Sequence, residues 1–152
     1  MELDFSLIEV TPAVESLREF SYRVKKVAEG DYVTEAFGWD EAEQRDFHSR
    51  DWEAKRPGII SYNGEPIGTI YIGDNEDFIE VGQFFVLPEY QNKGVGTHIL
   101  RQVTDRADQL GLAVRLAYLK NNPAASLYKR HGFQAVDANE QFIFTKRRPH
   151  DI

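Results

Sequence analysis

Between Phe78 and Leu119 the sequence passes from a strand through a glycine-rich turn into an amphipathic helix, and then into a second strand. No other segment restricts the fold as tightly. Phe78–Leu87 reads as the longest strand of the chain, and Pro88 ends it because proline cannot donate to a sheet ladder. A helix follows over Gly94–Leu110, with Val95, Ile99, Val103, Ala107 and Leu110 on one face. Gly111 stops it. Leu112–Leu119 is apolar on both faces apart from Arg115, the pattern of a central strand covered on both sides.

The remaining chain supplies elements that complete a sheet. Leu3, Phe5 and Leu7 alternate with Asp4 and Ser6, which predicts a half-buried strand over residues 3–10. Thr11-Pro12 is a helix-start signal, Val14, Leu17, Phe20, Val24 and Val27 recur at helical spacing, and Gly30 is the expected stop. Residues 31–40 read as a polar, aromatic loop. A strongly acidic helix follows over 40–55, anchored by Phe47 and Trp52. Pro57-Gly58 breaks it. Asn63-Gly64 predicts a hairpin turn between strands at 59–62 and 67–72. A short helix is expected from Asn121 to Arg130, then strands near 133–138 and 140–146. The order βααβββαβαββ implies an α/β (α+β) domain over residues 1–152: one mixed central sheet of about six to seven strands with helices on both faces.

Composition narrows the function. The 152 residues include 18 Lys and Arg against 25 Asp and Glu, a net charge of −7. That balance argues against a nucleic-acid binder, which needs a dense basic face, and against docking on anionic lipid. The acidic N-terminus lacks the basic segment of a signal peptide, and no apolar run approaches a membrane span. The expectation is a cytoplasmic protein. The chain has no cysteine, which removes disulfides, thiolate metal sites and a cysteine nucleophile. His48, His98, His131 and His150 lack metal-ligand spacing, so no metal is expected.

The functional signal lies in Phe84-Phe85-Val86-Leu87-Pro88-Glu89-Tyr90-Gln91-Asn92-Lys93-Gly94-Val95-Gly96-Thr97. A strand ends, the chain turns, and a helix starts at closely spaced glycines. Such a junction presents unpaired N–H groups and the positive end of the helix dipole. Gly94 and Gly96 let an anion approach the backbone, and Lys93 adds charge. A pyrophosphate is the expected guest. A P-loop would need Gly-Lys-Ser/Thr, whereas Gly96 is followed by Thr97-His98. A dinucleotide fold would need a third glycine and an acid at the end of a second parallel strand, and neither is present.

Gln91-x-x-Gly94-x-Gly96 after a Val-x-Pro strand end resembles the acetyl-CoA motif of the GCN5-related N-acetyltransferase (GNAT) family. Asn121-x-x-Ala124-x-x-Leu127-Tyr128 followed by Gly132-Phe133 is similar to that family's second motif. The resemblance implies an acetyl-CoA-dependent enzyme whose cofactor core spans residues 78–133. It implies that the backbone of Phe84, Phe85 and Val86 binds the acetyl-pantetheine arm, with the Val86 N–H aimed at the thioester oxygen. Gln91, Asn92, Lys93, Gly94, Val95, Gly96 and Thr97 are implied to hold the pyrophosphate. Asn121 would contact pantetheine, with Asn122 better placed to cap the helix. Tyr128 would sit near the sulfur and protonate or stabilise the leaving thiolate.

The attacking amine must lose a proton. Glu80 lies an even number of residues before Val86, so it shares that residue's face provided no bulge intervenes. Glu35 and Asp40 are rivals. In the branch of the family that acetylates ribosomal-protein N-termini, a glutamate stands five residues before the motif asparagine. Here that position is Leu116.

Residues 29–55 are the variable, acceptor-side part in this family. Here they carry Glu29, Asp31, Glu35, Asp40, Glu41, Glu43, Asp46, Asp51 and Glu53 against Arg45, Arg50 and Lys55. Tyr32, Glu35, Phe37 and Trp39 are the candidate acceptor-binding residues, and the implied partner is a cationic amine. Residues 91–133 have the opposite balance, seven bases against Asp105 and Asp108. A homodimer is compatible with the reading. The alternative function is a non-catalytic acyl-CoA-binding sensor on the same scaffold.

Overall fold

The computed structural model describes residues 2–150. Among them are strands β1 (Ile8–Pro12), β2 (Gly58–Tyr62), β3 (Glu65–Asp74), β4 (Phe78–Val86), β5 (Ala113–Leu119), β6 (Gln134–Ala138) and β7 (Phe142–Arg147). The helices are α1 (Arg18–Phe37), α2 (Glu41–Ala54), α3 (Val95–Leu110) and α4 (Ala125–Arg130). This is the expected element order. The strands form one seven-stranded sheet in the order β1-β2-β3-β4-β5-β7-β6. Two compact units share it, and the chain passes between them within β3, within β4 and at the start of α3, not at a linker.

The first unit comprises Met1–Tyr71 and Gln83–Val95. β1 pairs antiparallel with β2, from Ile8↔Tyr62 to Pro12↔Gly58. This pairing overrides the helix-start signal at Thr11-Pro12, since proline is tolerated at the end of an edge strand. Residues 5–7, expected within the strand, form a tight 3-10 turn instead. Asp4 caps that turn by accepting hydrogen bonds from Ser6 N–H at 3.0 Å and Ser6 Oγ–H at 2.6 Å.

α1 also departs from expectation. It continues past Gly30 to Phe37, so Tyr32, Glu35 and Phe37 are helical and not in a loop. The glycine that ends the helix is Gly38, at φ +76°, whose N–H bonds the Thr34 carbonyl at 2.9 Å. Gly30 lies beside the Trp39 ring: a Cβ there would sit 3.9 Å from it. α2 begins as expected at Asp40, which accepts the Glu43 N–H at 3.0 Å. Its buried face is Gln44, His48 and Trp52. Trp52 packs with Ala13 and Ile59, whereas Phe47, read as a second anchor, is 38% exposed.

The second unit comprises Ile72–Gly82 and Gly96–Ile152. β4 opens as a parallel partner of β5, Phe78–Glu80 against Ala113–Arg115. β5 pairs antiparallel with β7 along its length, and β7 with β6. α3 buries Val95, Ile99, Leu100, Val103 and Ala107, while Leu110 at its end is 55% exposed. Gly111 at φ +68° closes α3, with Leu112 N–H bonded to the Ala107 carbonyl at 2.9 Å.

Candidate functional site

Within the first unit, Gly68 of β3 lies against the backbone of Phe85 and Val86. A Cβ on Gly68 would overlap the Phe85 carbonyl oxygen, so only glycine fits this close approach. Thr69 Oγ–H donates to the Gln83 carbonyl at 2.7 Å, and Leu87 N–H to the Ile67 carbonyl at 2.8 Å. These contacts fix the path of Phe84, Phe85 and Val86, all half-buried.

Gln83 sits at φ +45°, an unusual conformation for a residue with a side chain. Its side-chain amide donates to the Lys55 carbonyl at 2.7 Å, which secures the irregularity. Gln83 lies between Glu80 and Val86 in a strand that runs from Phe78 to Val86. Glu80 belongs to the part of β4 that pairs with β5, opposite Arg115.

After β4, Pro88–Tyr90 makes one 3-10 turn. Gln91 then folds back, and its side-chain amide donates to the Val86 carbonyl at 2.9 Å. The side chain of Gln91 thus ties the turn to the strand end. Asn92 at φ +59° and Gly94 at φ +88° are both left-handed. They reverse the chain and let α3 start at Val95, the buried residue that roots the helix. The turn from Gln91 to Thr97 so ends at the first, unpaired N–H groups of a 16-residue helix. Of the expected pyrophosphate residues, the side chains of Gln91 and Val95 have structural duties, and the backbone remains for a guest.

In the second unit, Tyr128 is buried on α4. Its ring stacks on Tyr118 of β5 with centroids 5.5 Å apart, and meets Phe133 edge-on at 6.1 Å. Two aromatic rings thus fix its orientation. Asn121 is half-buried just before α4. Asn122 Oδ1 accepts the Ala124 N–H at 2.9 Å, an Asx turn ahead of the helix, whereas the N-cap itself is Ala124, without a side-chain cap bond, and not the expected Asn122. His131 closes α4, and burial lowers its pKa, with nearby Arg101, Arg130 and Arg147 adding to the effect.

Four of the nine acids in residues 29–55, Asp40, Glu41, Asp46 and Glu53, are engaged within the first unit. Glu41 accepts from the Trp39 indole at 2.8 Å and from Lys26 at 3.0 Å, and these bonds lower its pKa to about 2. Trp39 is therefore held by α2. Asp46 pairs with Arg50 at 2.8 Å and Glu53 with Arg18 at 3.3 Å, while Asp40 caps α2. Sequence counting of charge misses this neutralisation, because Arg18 and Lys26 lie outside the counted segment. It also misses Glu29. That half-buried residue of α1 has its pKa raised to about 7 by burial, against a smaller opposing effect of Lys25. Its helical phase, one turn before buried Val33, was the available signal. No cluster of three or more potential metal ligands occurs among the described residues, nor is any helix there long and apolar enough to cross a membrane.

The fold and the strand–turn–helix junction define the class of acyl-CoA-dependent transferases. The sequence profile of the Acetyltransferase (GNAT) family matches residues 21–133, and the chain belongs to that family. The PaiA N-acetyltransferase of Thermoplasma acidophilum, solved with coenzyme A, superposes with a TM-score of 0.73 at 15% identity, covering 93% of this chain and 98% of that one. The ribosomal-protein-S18-alanine N-acetyltransferase of Escherichia coli gives 0.67 at 20% identity, covering 95% and 96%. A GNAT acetyltransferase of Elizabethkingia anophelis with acetyl-CoA bound gives 0.68 at 15% identity, covering 93% and 98%. At these identities the likeness is one of fold. In sequence, the chain is 28% identical over 106 residues to the UPF0157 protein YqkA of Bacillus subtilis (strain 168). That match takes in 68% of this chain and 31% of YqkA, so the chain spans about a third of that relative.

Proposed function

We propose that this family member transfers acetyl from acetyl-CoA directly to a primary amine of a cationic small molecule or peptide. The observation that carries the reading is the Gln91–Thr97 turn. Two left-handed residues, a glycine without a side chain and a helix start come together immediately after the strand end. That combination suits a pyrophosphate, and few other guests need it.

The chemistry asks little of the protein beyond placement and electrostatics, because a thioester is already activated. The amine nitrogen attacks the thioester carbon. The oxyanion that forms is assigned to the Val86 N–H, whose strand is held close to β3 by Gly68. The carbon–sulfur bond then breaks, and Tyr128 gives the departing thiolate a hydrogen bond or its proton. Thiol and phenol have reference pKa values of about 8.5 and 10, near enough for that exchange. The amine's own proton must go to a carboxylate or water. Glu80 is the proposed acceptor of that proton, with Glu35 as its rival. Asp40 is committed to capping α2. With no cysteine in the chain, a cysteinyl acetyl-enzyme has no place in this scheme.

A cationic acceptor rests on the acids of α1 that α2 does not cap or pair, Glu29 and Asp31, together with Tyr32, Glu35 and Phe37 on the same helix. The test is release of CoA thiol from acetyl-CoA across a panel of cationic, neutral and anionic amines. Turnover confined to cationic amines supports the proposal, and turnover confined to the others overturns the acceptor class. Tight CoA binding without release for any amine selects the acyl-CoA sensor instead.

A further inference from the structure

The N-terminal 3-10 turn reaches the glycine-rich turn. A Cβ on Gly94 would stand 2.7 Å from Cζ of Phe5, with the ring's Cε atoms next nearest at 3.4 and 3.6 Å. The Phe5 ring thus occupies the space where any other residue at position 94 would put its side chain. The φ of +88° favours glycine at position 94, and the end of the Phe5 ring lies over it.

Phe5 is 39% exposed, and the turn that carries it is held through its neighbours. Asp4 caps its turn through Ser6. The Asp4 N–H donates to the Tyr62 hydroxyl at 3.1 Å, and the Asn63 N–H donates to the Leu7 carbonyl at 2.9 Å. Tyr62, at the end of β2, lies 5.9 Å from the ring of Tyr90. Tyr90 is the last residue of the 3-10 turn that leads into Gln91. Contacts therefore run from residues 4–7 through Tyr62 to Tyr90, and through Phe5 to Gly94. All of these residues belong to the first unit.

We propose that Phe5 is a positioning residue for acetyl-CoA: its ring, seated on Gly94, holds the Gln91–Gly94 turn in the conformation whose backbone N–H groups receive the pyrophosphate. This rests on the pyrophosphate reading of that turn. The physical basis is preorganisation. Asn92 occupies a sparsely populated region of backbone space and Gly94 has many others open to it, so an unbraced turn would relax and pay its ordering cost on binding.

The experiment compares Phe5→Ala, Phe5→Leu and Tyr62→Phe with the parent protein. CoA binding is measured by calorimetry, and KM and kcat are measured with acetyl-CoA and with S-acetylpantetheine, which has no diphosphate. Loss of about 1 kcal/mol of preorganisation corresponds to a roughly fivefold weaker CoA complex for Phe5→Ala. KM for acetyl-CoA should rise in parallel while kcat holds, and the S-acetylpantetheine rate should stay within about twofold, since each tenfold requires 1.4 kcal/mol. Phe5→Leu should recover most of the affinity, and Tyr62→Phe should show a smaller loss in the same direction. If Phe5→Ala does not fold, Phe5→Leu and Tyr62→Phe carry the same comparison. Equal losses with both donors, or unchanged CoA affinity, overturn the brace. A parent protein that binds no CoA overturns the pyrophosphate reading itself, which separates the two failures.

Discussion

Arg147 and Asp108 form a buried two-pronged ion pair, with Nη1 2.8 Å from Oδ1 and Nη2 3.0 Å from Oδ2. It joins the end of β7 to the last turns of α3 within the second unit. Arg147 Nε–H also donates to the His131 carbonyl at 3.1 Å, and Asp108 accepts the His150 N–H at 2.8 Å. Removing one partner strands a charge. Arg147→Ala is expected to cost about 3–5 kcal/mol in urea unfolding. The pair lowers the Asp108 pKa to about 2, so its stabilising effect is complete above the ordinary carboxylate range and disappears as pH falls towards 2. Arg147→Ala should therefore show a shallower acid limb than the parent.

Gly68 tests the geometry of the strand end. Gly68→Ala must push a methyl into the Phe85 carbonyl, and backbone cannot rotate away as a side chain can. Overpacking of this kind costs about 1–3 kcal/mol. The expected outcome is a lowered melting temperature together with impaired acetyl transfer, since Val86 would move. A variant with parent-like melting and turnover would show that the close approach is dispensable.

Glu29 gives a pH signature of opposite sign to Asp108. Its pKa rises from 4.5 to about 7 on folding, so the folded state holds the proton more tightly. Stability should decline between those two values as the unfolded chain alone ionises, and the penalty is complete above the upper one. The ceiling on this penalty is about 3 kcal/mol. Glu29→Gln should raise the melting temperature at pH 8 by up to roughly 6–12 °C and leave it nearly unchanged at pH 4. Equal shifts at both values would sink the assignment.

His48 limits stability from the acid side. It is buried, shares a 3.0 Å hydrogen bond with Ser21 Oγ, and meets the Tyr22 ring edge-on at 5.4 Å. Burial lowers its pKa, and the charges of Lys25 and Arg18 reinforce this against the weaker effects of Asp51 and Glu19. The unfolded chain binds the proton first, so stability is lost as pH falls through the ordinary histidine range. His48→Gln should keep a partner for Ser21 and remove that component of the titration in melts from pH 7 to pH 5.

Tyr128→Phe removes a hydroxyl and keeps the stack on Tyr118 and the edge contact with Phe133. Turnover is expected to fall about tenfold or more, within the range of general acid–base contributions, with acetyl-CoA affinity little changed. Unchanged turnover would remove the phenol from the mechanism.

The parts that could be read from sequence are those where a local rule and the tertiary structure agree. The Asn63-Gly64 hairpin, the Gly111 stop and the periodic face of α3 all belong to this group. So does the junction at Gly94, where the residue type is dictated by the backbone. The misread parts are those where a distant partner decides. Thr11-Pro12 carries a good helix-start signal, yet β2 is there to pair with it. Gly30 is a plausible helix stop, yet Gly38 takes that role. Gln83 gives no sequence hint of a left-handed turn, because its reason is the carbonyl of Lys55, far away in the chain. Phe5 looked like one residue of an alternating strand, and only the fold brings it to Gly94. Charge counting failed for the same reason at Glu41, whose partner Lys26 is on a different helix.

The passage of α1 through Gly30 bears on how acceptor preference can change in this protein. Tyr32, Glu35 and Phe37 are presented on a regular helix, whose residues advance by about 100° each. One inserted residue would swing all three away together, along with the junction to α2 that Trp39 and Glu41 secure. For the acceptor face proposed on α1, exchanging side chains one position at a time keeps this helical frame, whereas an insertion or deletion changes it.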